Sequence, residues 1–497
     1  MLSILFTFFS NEMALLWVLL VIFFIYLIEK VIYNNFFNRF FLILIFILLF
    51  LILCNILVRN ISMDVSYNIY ILDNYFIYSN MTQNIKGFII LLSLFFIIYL
   101  YNFSKLVYVP IFEYIIIIII IILSLCLIVS TNHLFYIFLF LEMINLSLYV
   151  LIGLNKYSNY GIEIAYKYFI QSSYATLIGL FGVSIIYIRT GTLFISELKF
   201  IIAAFPIDNL IIFSFLLIFI TFFFKLGLFP LHNWVADLYQ NAHLATVTFI
   251  GIVPKIAYIY IFFEIYGIIH QSHFVFFFVI LTGFLSIMYG SILSLYEVSL
   301  RRLLGYGSIV HMGFIILAIG LFELLSISSA FLYIVIYTCL MFTSFFFLLI
   351  FIRRKEESNE IIFFDNITSI GVFFNNNILL SIIFSFTILS LAGLPFFMGF
   401  FSKLYILLAL ISYGYFFLVI ILLCMNILIT LYYIRLIRFL FFNEEKNIKN
   451  KYINLMEAYN YTLYSLIMTF FILNILIFFY HNYILLFILN NIIIFFI

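Results

Sequence analysis

Apolar stretches of about twenty residues follow one another along this 497-residue chain, each closed by a few polar residues. About twenty such residues cross the roughly 30 Å hydrocarbon core of a bilayer as one helix. Inside lipid every backbone group must be paired within the protein, so long uninterrupted apolar runs point to membrane helices. Charge agrees: Asp, Glu, Lys and Arg make up 8% of the residues, against about a quarter in a soluble domain. The 22 basic and 20 acidic residues leave a net charge of +2, so there is no basic footprint and no nucleic acid partner is expected. Cys54, Cys126, Cys339 and Cys424 lie singly in apolar runs, which makes neither a disulfide framework nor a zinc site.

The crossings read 13–31, 38–58, 86–108, 110–131, 133–153, 164–188, 208–230, 244–266, 273–296, 301–322, 326–352, 376–411, 413–438 and 458–480, about 14 in all. The stretch from 376 is too long for one simple crossing and contains Pro395; the segment 482–497 is short and reads as interfacial. The fold class expected is an all-α polytopic membrane protein. The N-terminus has no basic n-region or small-residue cleavage site, and it is not an Arg- and Ser-rich transit peptide. Seventy Phe and 38 Tyr, with long Ile and Asn runs, fit a strongly AT-biased, organellar gene. The chain is therefore expected to be made where it is inserted.

Basic residues orient the crossings. Loops after odd-numbered crossings carry Lys30, Arg39, Lys105, Lys156, Arg301, Arg302, Arg353, Arg354, Lys355, Arg435, Arg438, Lys446, Lys449 and Lys451; loops after even-numbered ones carry Arg59, Lys86, Arg189 and Lys199. This fourteen-to-four bias places both termini on the outer (positive) face. Four lysines remain. Lys167 lies near the start of its helix and can snorkel, whereas Lys225, Lys255 and Lys403 sit well inside apolar sequence. A lysine at the bilayer centre costs about 2.5–3.5 kcal/mol on insertion scales, so partners or water are required. Glu142, in the middle of HLFYIFLFLEMINLSLYVLIGL, is the acidic candidate. These groups either pair helices structurally or carry protons.

Three of the five prolines, Pro230, Pro254 and Pro395, interrupt hydrophobic sequence, each within eight residues of a buried lysine. Proline removes a backbone donor, and freed backbone groups at membrane depth are tolerated only within protein or beside a water-filled cavity. Each is either a packing kink or part of an ion path, and the coincidence with lysines favours the path. LGLFPLHNW and LAGLPFFMGFF are Gly- and Pro-containing breaks five crossings apart, an odd interval that inverts the second copy. Two inverted five-helix repeats with two Pro-broken helices, at Pro230 and Pro395, are thus expected. The corresponding organisation is 1–109 for N-terminal helices, 110–270 for the first repeat, 271–441 for the second, and 442–497 for the C-terminal helix and tail.

His311, about ten residues into its crossing, is either hydrogen-bonded structure or a proton relay near neutral pH. His232 and His243 flank the break after Pro230, and His133, His270, His273 and His481 read as interfacial. No metal-ligand spacing, G-x-G-x-x-G fingerprint or P-loop occurs. The Tyr and Phe stripes read as lipid-facing or core packing.

The segments FKLGLFPLHNWVADLYQNAHLATVTFIGIVPKIA, LLGYGSIVHMGF and LSLAGLPFFMGFFSK resemble the antiporter-like membrane subunits of respiratory complex I (NADH:ubiquinone oxidoreductase). With the stretches around Glu142 and over KYFIQSSYATLIGLFGVSIIYIRTGT, the resemblance covers roughly residues 130–410 and is greatest to the subunit 2 type. Ala236 departs from it, standing where that type commonly has proline. A lysine at 403 argues against the subunit 4 type, which has a glutamate there. The resemblance implies that Glu142 and Lys225 form the paired acid and lysine, that Lys255 is the central lysine and that Lys403 follows the second broken helix. It also implies a proton-translocating subunit that binds no cofactor itself, with NADH, FMN, Fe-S clusters and ubiquinone in other subunits. Its partners would be other membrane-arm subunits of complex I, including the neighbouring antiporter-like subunit 4 and small membrane subunits, and lipids.

The electrostatic expectation is a relay. With Glu142 close, Lys225 holds its proton; with the pair apart, burial favours release towards Lys255 and Lys403. Moving one charge against 100 mV costs about 2.3 kcal/mol, so redox chemistry elsewhere must drive it. Two other classes stay open: a subunit of a multisubunit cation/proton antiporter, and a non-conducting structural membrane subunit.

Overall fold

In the computed structural model of the protein, residue 15 and residues 45–56, 69–107, 110–154, 159–204, 208–350, 352–354, 361–363, 366–369, 378–442 and 461–496 are described. The expected crossing 13–31 lies outside them apart from Leu15. So do Lys30, Arg39, Arg59, Lys156, Lys355, Lys446, Lys449 and Lys451. The chain is an all-α polytopic membrane protein. Eleven helices among the described residues are long and apolar enough to cross a bilayer, and three shorter apolar helices accompany them.

In chain order these are α1 (Ile45–Ile56), a hairpin of β1 (Ile69–Ile71) and β2 (Phe76–Tyr78), α2 (Asn80–Leu106), α3 (Ile111–Ser130), α4 (Leu134–Gly153), α5 (Asn159–Thr190), α6 (Ile195–Ala204) and α7 (Asn209–Leu226). There follow α8 (Asn233–Asn241), α9 (Leu244–Ile269), α10 (His273–Tyr296), α11 (Leu300–Leu321), α12 (Leu324–Ile350) and the pair β3 (Ile352–Arg354) and β4 (Ile361–Phe363). The chain continues through α13 (Ile378–Ala392), α14 (Met398–Ser412), α15 (Phe416–Phe442) and α16 (Tyr461–Phe496).

Two compact units divide the chain: Met1–Leu226 with Asn241–Val275 and Ile494–Ile497, and Gly227–Gln240 with Phe276–Ile493. In the first, α2, α3, α4, α6 and α7 pack around α9, whose membrane-crossing stretch is wholly buried. Apolar side chains on every face of α9 suit such a position, and its Lys255 and Glu264 are buried among them. Pro254 lies inside α9, which runs through it as one helix, so this proline does not break its crossing. The β1–β2 hairpin is tied down by Asn132, in the turn between α3 and α4. Its Nδ2 donates to the Asn74 carbonyl (3.0 Å) and to Ser196 Oγ (2.9 Å), and its Oδ1 accepts from the Ser196 amide (3.2 Å). At the start of α2, Ser79 and Thr82 form a capping box, each side-chain oxygen accepting from the other's backbone N–H. One turn on, Lys86 is buried inside α2 (1% exposed), not in a loop as its place at the edge of the apolar run implied.

In the second unit α11 and α12 are the most buried helices. Small residues set the approach of α10 to α11: a Cβ on Gly313 would stand 2.9 Å from the Gly283 carbonyl oxygen and 2.3 Å from Ser286 Oγ. Without a hydrophobic drive between helices in lipid, such close backbone contact is what holds them. The C-terminal region differs from expectation. Instead of a crossing at 458–480 and a separate interfacial segment, α16 is one helix of 36 residues. Its polar residues His481 and Asn482 are matched from α14: the His481 ring stacks on Phe401 (3.8 Å between centroids), and Asn482 Oδ1 accepts from Tyr405 Oη (2.7 Å).

Candidate functional site

Both expected helix breaks are present. After α7 ends at Leu226, Gly227 adopts φ +73°, the Phe229–Pro230 peptide is cis, and α8 starts at Asn233. A side chain at 227 would meet Val235 Cγ2 at 2.4 Å, so glycine is required there for space as well as conformation. At the second break α13 ends at Ala392, Gly393 takes φ +78° and Phe396 φ +71°, and α14 starts at Met398. Gly399 lets the two half-helices touch, since a Cβ there would lie 1.8 Å from the Ser390 carbonyl oxygen.

In the first unit Lys225 occupies the last turn of α7 and is 2% exposed. Its Nζ donates to Oδ1 of Asn145 on α4, itself fully buried, and lies 5.5 Å from the ring centroids of both Tyr168 and Phe224. Among the described residues no ion pair joins Lys225 to Glu142. Glu142 is half-buried, one helical turn before Asn145 and within electrostatic reach of the ammonium. The lysine is therefore solvated by an amide and two aromatic faces, with the carboxylate as its neighbour. Sequence reasoning missed Asn145; its only signal was its i+3 spacing from Glu142 on one helix face. Lys255 is 3% exposed near the middle of α9. Lys167 is on the surface, paired with Glu163 at 2.6 Å.

In the second unit Lys403 is 4% exposed on α14. Its Nζ donates to the carbonyl of Ala392, the last residue of α13 (2.7 Å), and lies 5.5 Å from the ring centroid of Phe314. A helix end leaves carbonyls without intrahelical partners and carries partial negative charge. The break thus supplies a site for an ammonium ion. A cavity of about 530 Å³ adjoins it, lined by Gly393, Lys403, Leu407, Asn426 and Thr430 among others. His311 is 3% exposed on α11, with Nδ1 2.8 Å from Tyr333 Oη. His232 packs its ring against Tyr289 (4.3 Å between centroids). The structure therefore gathers Glu142 and Lys225 near one another in the first unit, and places His311 and Lys403 in the second, His311 on Tyr333 and Lys403 by Phe314, whose rings stack.

Such an arrangement can hold protons on lysines that are desolvated yet hydrogen-bonded, which is the requirement for carrying charge through an apolar interior. Known proteins share the fold. Solved structures with the same fold include a chain of respiratory complex I from Thermus thermophilus with bound aureothin (TM-score 0.75, 20% identity, covering 96% of this chain and 98% of that one). Another is a chain of the Mrp complex from a Dietzia species (TM-score 0.78, 17% identity, 97% and 96%). In sequence, the chain is 29% identical over 325 residues to NADH-quinone oxidoreductase subunit N of Hydrogenovibrio crunogenus, covering 64% of this chain and 66% of that protein. It is 31% identical over 328 residues to the subunit N of Francisella tularensis subsp. holarctica, again covering 64% and 66%. The matched part thus spans just under two thirds of these relatives. Residues 131–430 match the family described as NADH:quinone oxidoreductase/Mrp antiporter, TM, and they contain both breaks and Lys225, Lys255 and Lys403. The chain belongs to the NADH:quinone oxidoreductase/Mrp antiporter transmembrane family.

Proposed function

We propose that this chain is an antiporter-like, proton-translocating membrane subunit of a respiratory NADH:quinone oxidoreductase. The observation that carries this reading is the seating of Lys403 on the Ala392 carbonyl inside a broken helix, with Lys225 buried against Asn145 in the other unit. Two desolvated ammonium groups held by neutral acceptors are poor structural ion pairs but good proton carriers. The relatives named subunit N of NADH-quinone oxidoreductases favour it over other members of the family.

In this reading Glu142, Lys225, Lys255, His311 and Lys403 hold protons in turn, and the breaks at Pro230 and Pro395 supply the polar backbone that solvates them. Residues 110–270 and 271–441 act as inverted repeats, each with one break. Electrons run from NADH through FMN and Fe-S clusters to ubiquinone in other subunits, and this chain binds none of these. Its partners are the membrane-arm subunits of the complex, with an antiporter-like subunit of the subunit 4 type beside it, small membrane subunits, and lipids. The AT-biased composition favours a mitochondrially encoded protein of the subunit 2 type in the inner membrane, with both termini facing the intermembrane space.

Lys225→Ala is the test. In intact complex reconstituted in vesicles, it should abolish or sharply reduce proton pumping coupled to NADH oxidation. An unchanged proton-to-electron ratio would sink the proposal. The likeness in fold to the Mrp complex keeps a cation/proton antiporter subunit as the second reading. Sodium-dependent proton movement without NADH oxidation, by the complex purified with this chain, would favour that.

A further inference from the structure

The cavity beside Lys403 opens towards the membrane. α13 and α14 have 15 residues each, so the break between them lies midway along the stretch that they share. The cavity, about 530 Å³, is lined mainly by α14 and α15 next to that break. Leu408 and Ile411 of α14 and Leu423 and Ile427 of α15 line it and are themselves exposed, which makes them its rim. The exposed apolar row of α15 continues through Ile420 and Leu431, a face suited to the hydrocarbon of a bilayer.

Three polar side chains line this apolar space: Lys403, Asn426 and Thr430. An ammonium has three N–H donors. Among the described residues Lys403 uses one of them, on the Ala392 carbonyl, and no carboxylate pairs with it. Asn426 Oδ1 is buried and has no hydrogen-bond partner among the described residues. Thr430 Oγ1 donates to the Ile427 carbonyl at 2.7 Å and can still accept. A charge at this depth and a buried polar atom both cost free energy until something pairs them. The complement to one cation and one amide behind an apolar rim is an acidic head on an apolar tail. Phospholipid headgroups stay at the interface, roughly 15 Å from the middle of the hydrocarbon, and do not reach such a place. A carboxylic acid does, because in apolar surroundings it keeps its proton and carries no charge.

We propose that this cavity binds a long-chain fatty acid from the bilayer, with its carboxyl group on Lys403 and Asn426 and its chain between α14 and α15. The acid enters neutral. On an unprotonated Lys403 its O–H bond breaks and the proton joins Nζ, leaving an ammonium–carboxylate pair of no net charge. On a protonated Lys403 the acid keeps its proton and donates it to Asn426 Oδ1, while its carbonyl oxygen accepts from the ammonium. In both states the occupied site leaves a proton on Lys403, so binding competes with proton release from that lysine. This last consequence rests on the proton-translocating reading above; the binding itself does not.

The experiment labels the intact complex in vesicles, without NADH, with a palmitic acid that carries a photoreactive diazirine on its chain. Labelled peptides are then identified by mass spectrometry. Label should fall on α14 and α15, and excess palmitate should displace it whereas methyl palmitate should not. Lys403→Met, which removes the cation, should lower displaceable labelling about tenfold or more. Ile427→Trp, which blocks the rim and touches no polar group, should lower it to the level left by excess palmitate. That variant decides if Lys403→Met does not assemble. Displacement by methyl palmitate as good as by palmitate, or wild-type labelling in Ile427→Trp, overturns the site, since the label then reports surrounding lipid. Label confined to another subunit overturns it too, because protein then covers the rim. A wild-type proton-to-electron ratio in Lys225→Ala, with specific labelling intact, removes the pumping reading alone; lost pumping there with unspecific labelling removes the fatty-acid site alone.

Discussion

The ammonium of Lys403 donates to the carbonyl of Ala392 at 2.7 Å, binding the second turn of one half-helix to the last residue of the other. The break is thus not a defect that the lysine happens to adjoin. It provides the acceptor that makes a buried lysine tolerable, because the final carbonyls of α13 lack intrahelical partners. Gly393 is the condition for this contact: a Cβ there would meet Lys403 Cδ at 2.8 Å, Cε and Nζ at 2.9 Å, on a backbone with φ +78°.

Gly393→Ala should therefore damage function through Lys403 without changing a titratable group. The left-handed backbone costs a residue with a Cβ about 1–2 kcal/mol, and the lysine must withdraw from its acceptor. Coupled pumping is expected to fall as in Lys403→Met, while Gly414→Ala, also at positive φ (+80°) but with nothing near its Cβ, should lose stability only. Measuring the proton-to-electron ratio for the three variants checks this; wild-type coupling in Gly393→Ala would separate the glycine from the lysine.

At Lys225 the prediction concerns charge. Asn145→Leu removes the neutral acceptor and leaves a buried ammonium with aromatic faces and Glu142, so the complex should pump poorly or lose this subunit. Asn145→Asp should act differently, fixing the proton on Lys225 by a direct buried ion pair. It is expected to assemble normally and pump slowly. If Asn145→Asp and wild type pump at equal rates, the neutrality of the acceptor has no functional meaning.

The sequence made the crossings and buried lysines legible because apolar runs and isolated charges are strong signals in lipid. The read crossing 244–266 corresponds to Leu244–Ile269 and 273–296 to His273–Tyr296, and Lys225, Lys255, Lys403 and His311 are all buried. What stayed hidden was decided between helices. Asn145 carries no charge to mark it among apolar neighbours. Lys86 looked like a loop residue because the capping box at Ser79 begins its helix a turn and a half earlier than hydropathy does. His481 and Asn482 resembled a boundary within the C-terminal segment, yet α14 satisfies both and α16 continues through them. Pro254 read as either a packing kink or part of an ion path, and α9 runs through it as one fully buried helix.

Asn132 supports a prediction about stability alone. Its side chain makes three hydrogen bonds, to Asn74 and twice to Ser196, fastening the β1–β2 hairpin and α6 to the α3–α4 turn. Asn132→Ala leaves the Ser196 amide and the Asn74 carbonyl without that partner, at about 1–3 kcal/mol for each group that water does not reach. The purified complex should melt at lower temperature or lose this subunit in detergent, while any complex that remains should pump at the wild-type ratio. A coupling defect without a stability change would contradict a purely structural role.

Phe314 touches both Lys403 and Tyr333, the hydrogen-bond partner of His311. The Phe314 ring is stacked on Tyr333, with 6.1 Å between centroids and 15° between planes, and Lys403 Nζ lies 5.5 Å from its centroid. An aromatic face holds an ammonium by about 0.5–2 kcal/mol while offering it no proton acceptor. The ring thus favours the charged lysine and touches both it and the Tyr333 ring. Phe314→Ala should open that junction and let protons leak, so that vesicles containing the complex oxidise NADH faster yet hold a smaller pH gradient. Phe314→Leu keeps a branched apolar side chain at the junction but loses the aromatic face, and should slow pumping without increasing leak. Decay of an imposed pH gradient, measured with NADH absent, distinguishes the two; equal decay in wild type and Phe314→Ala would show that the ring is packing and no barrier.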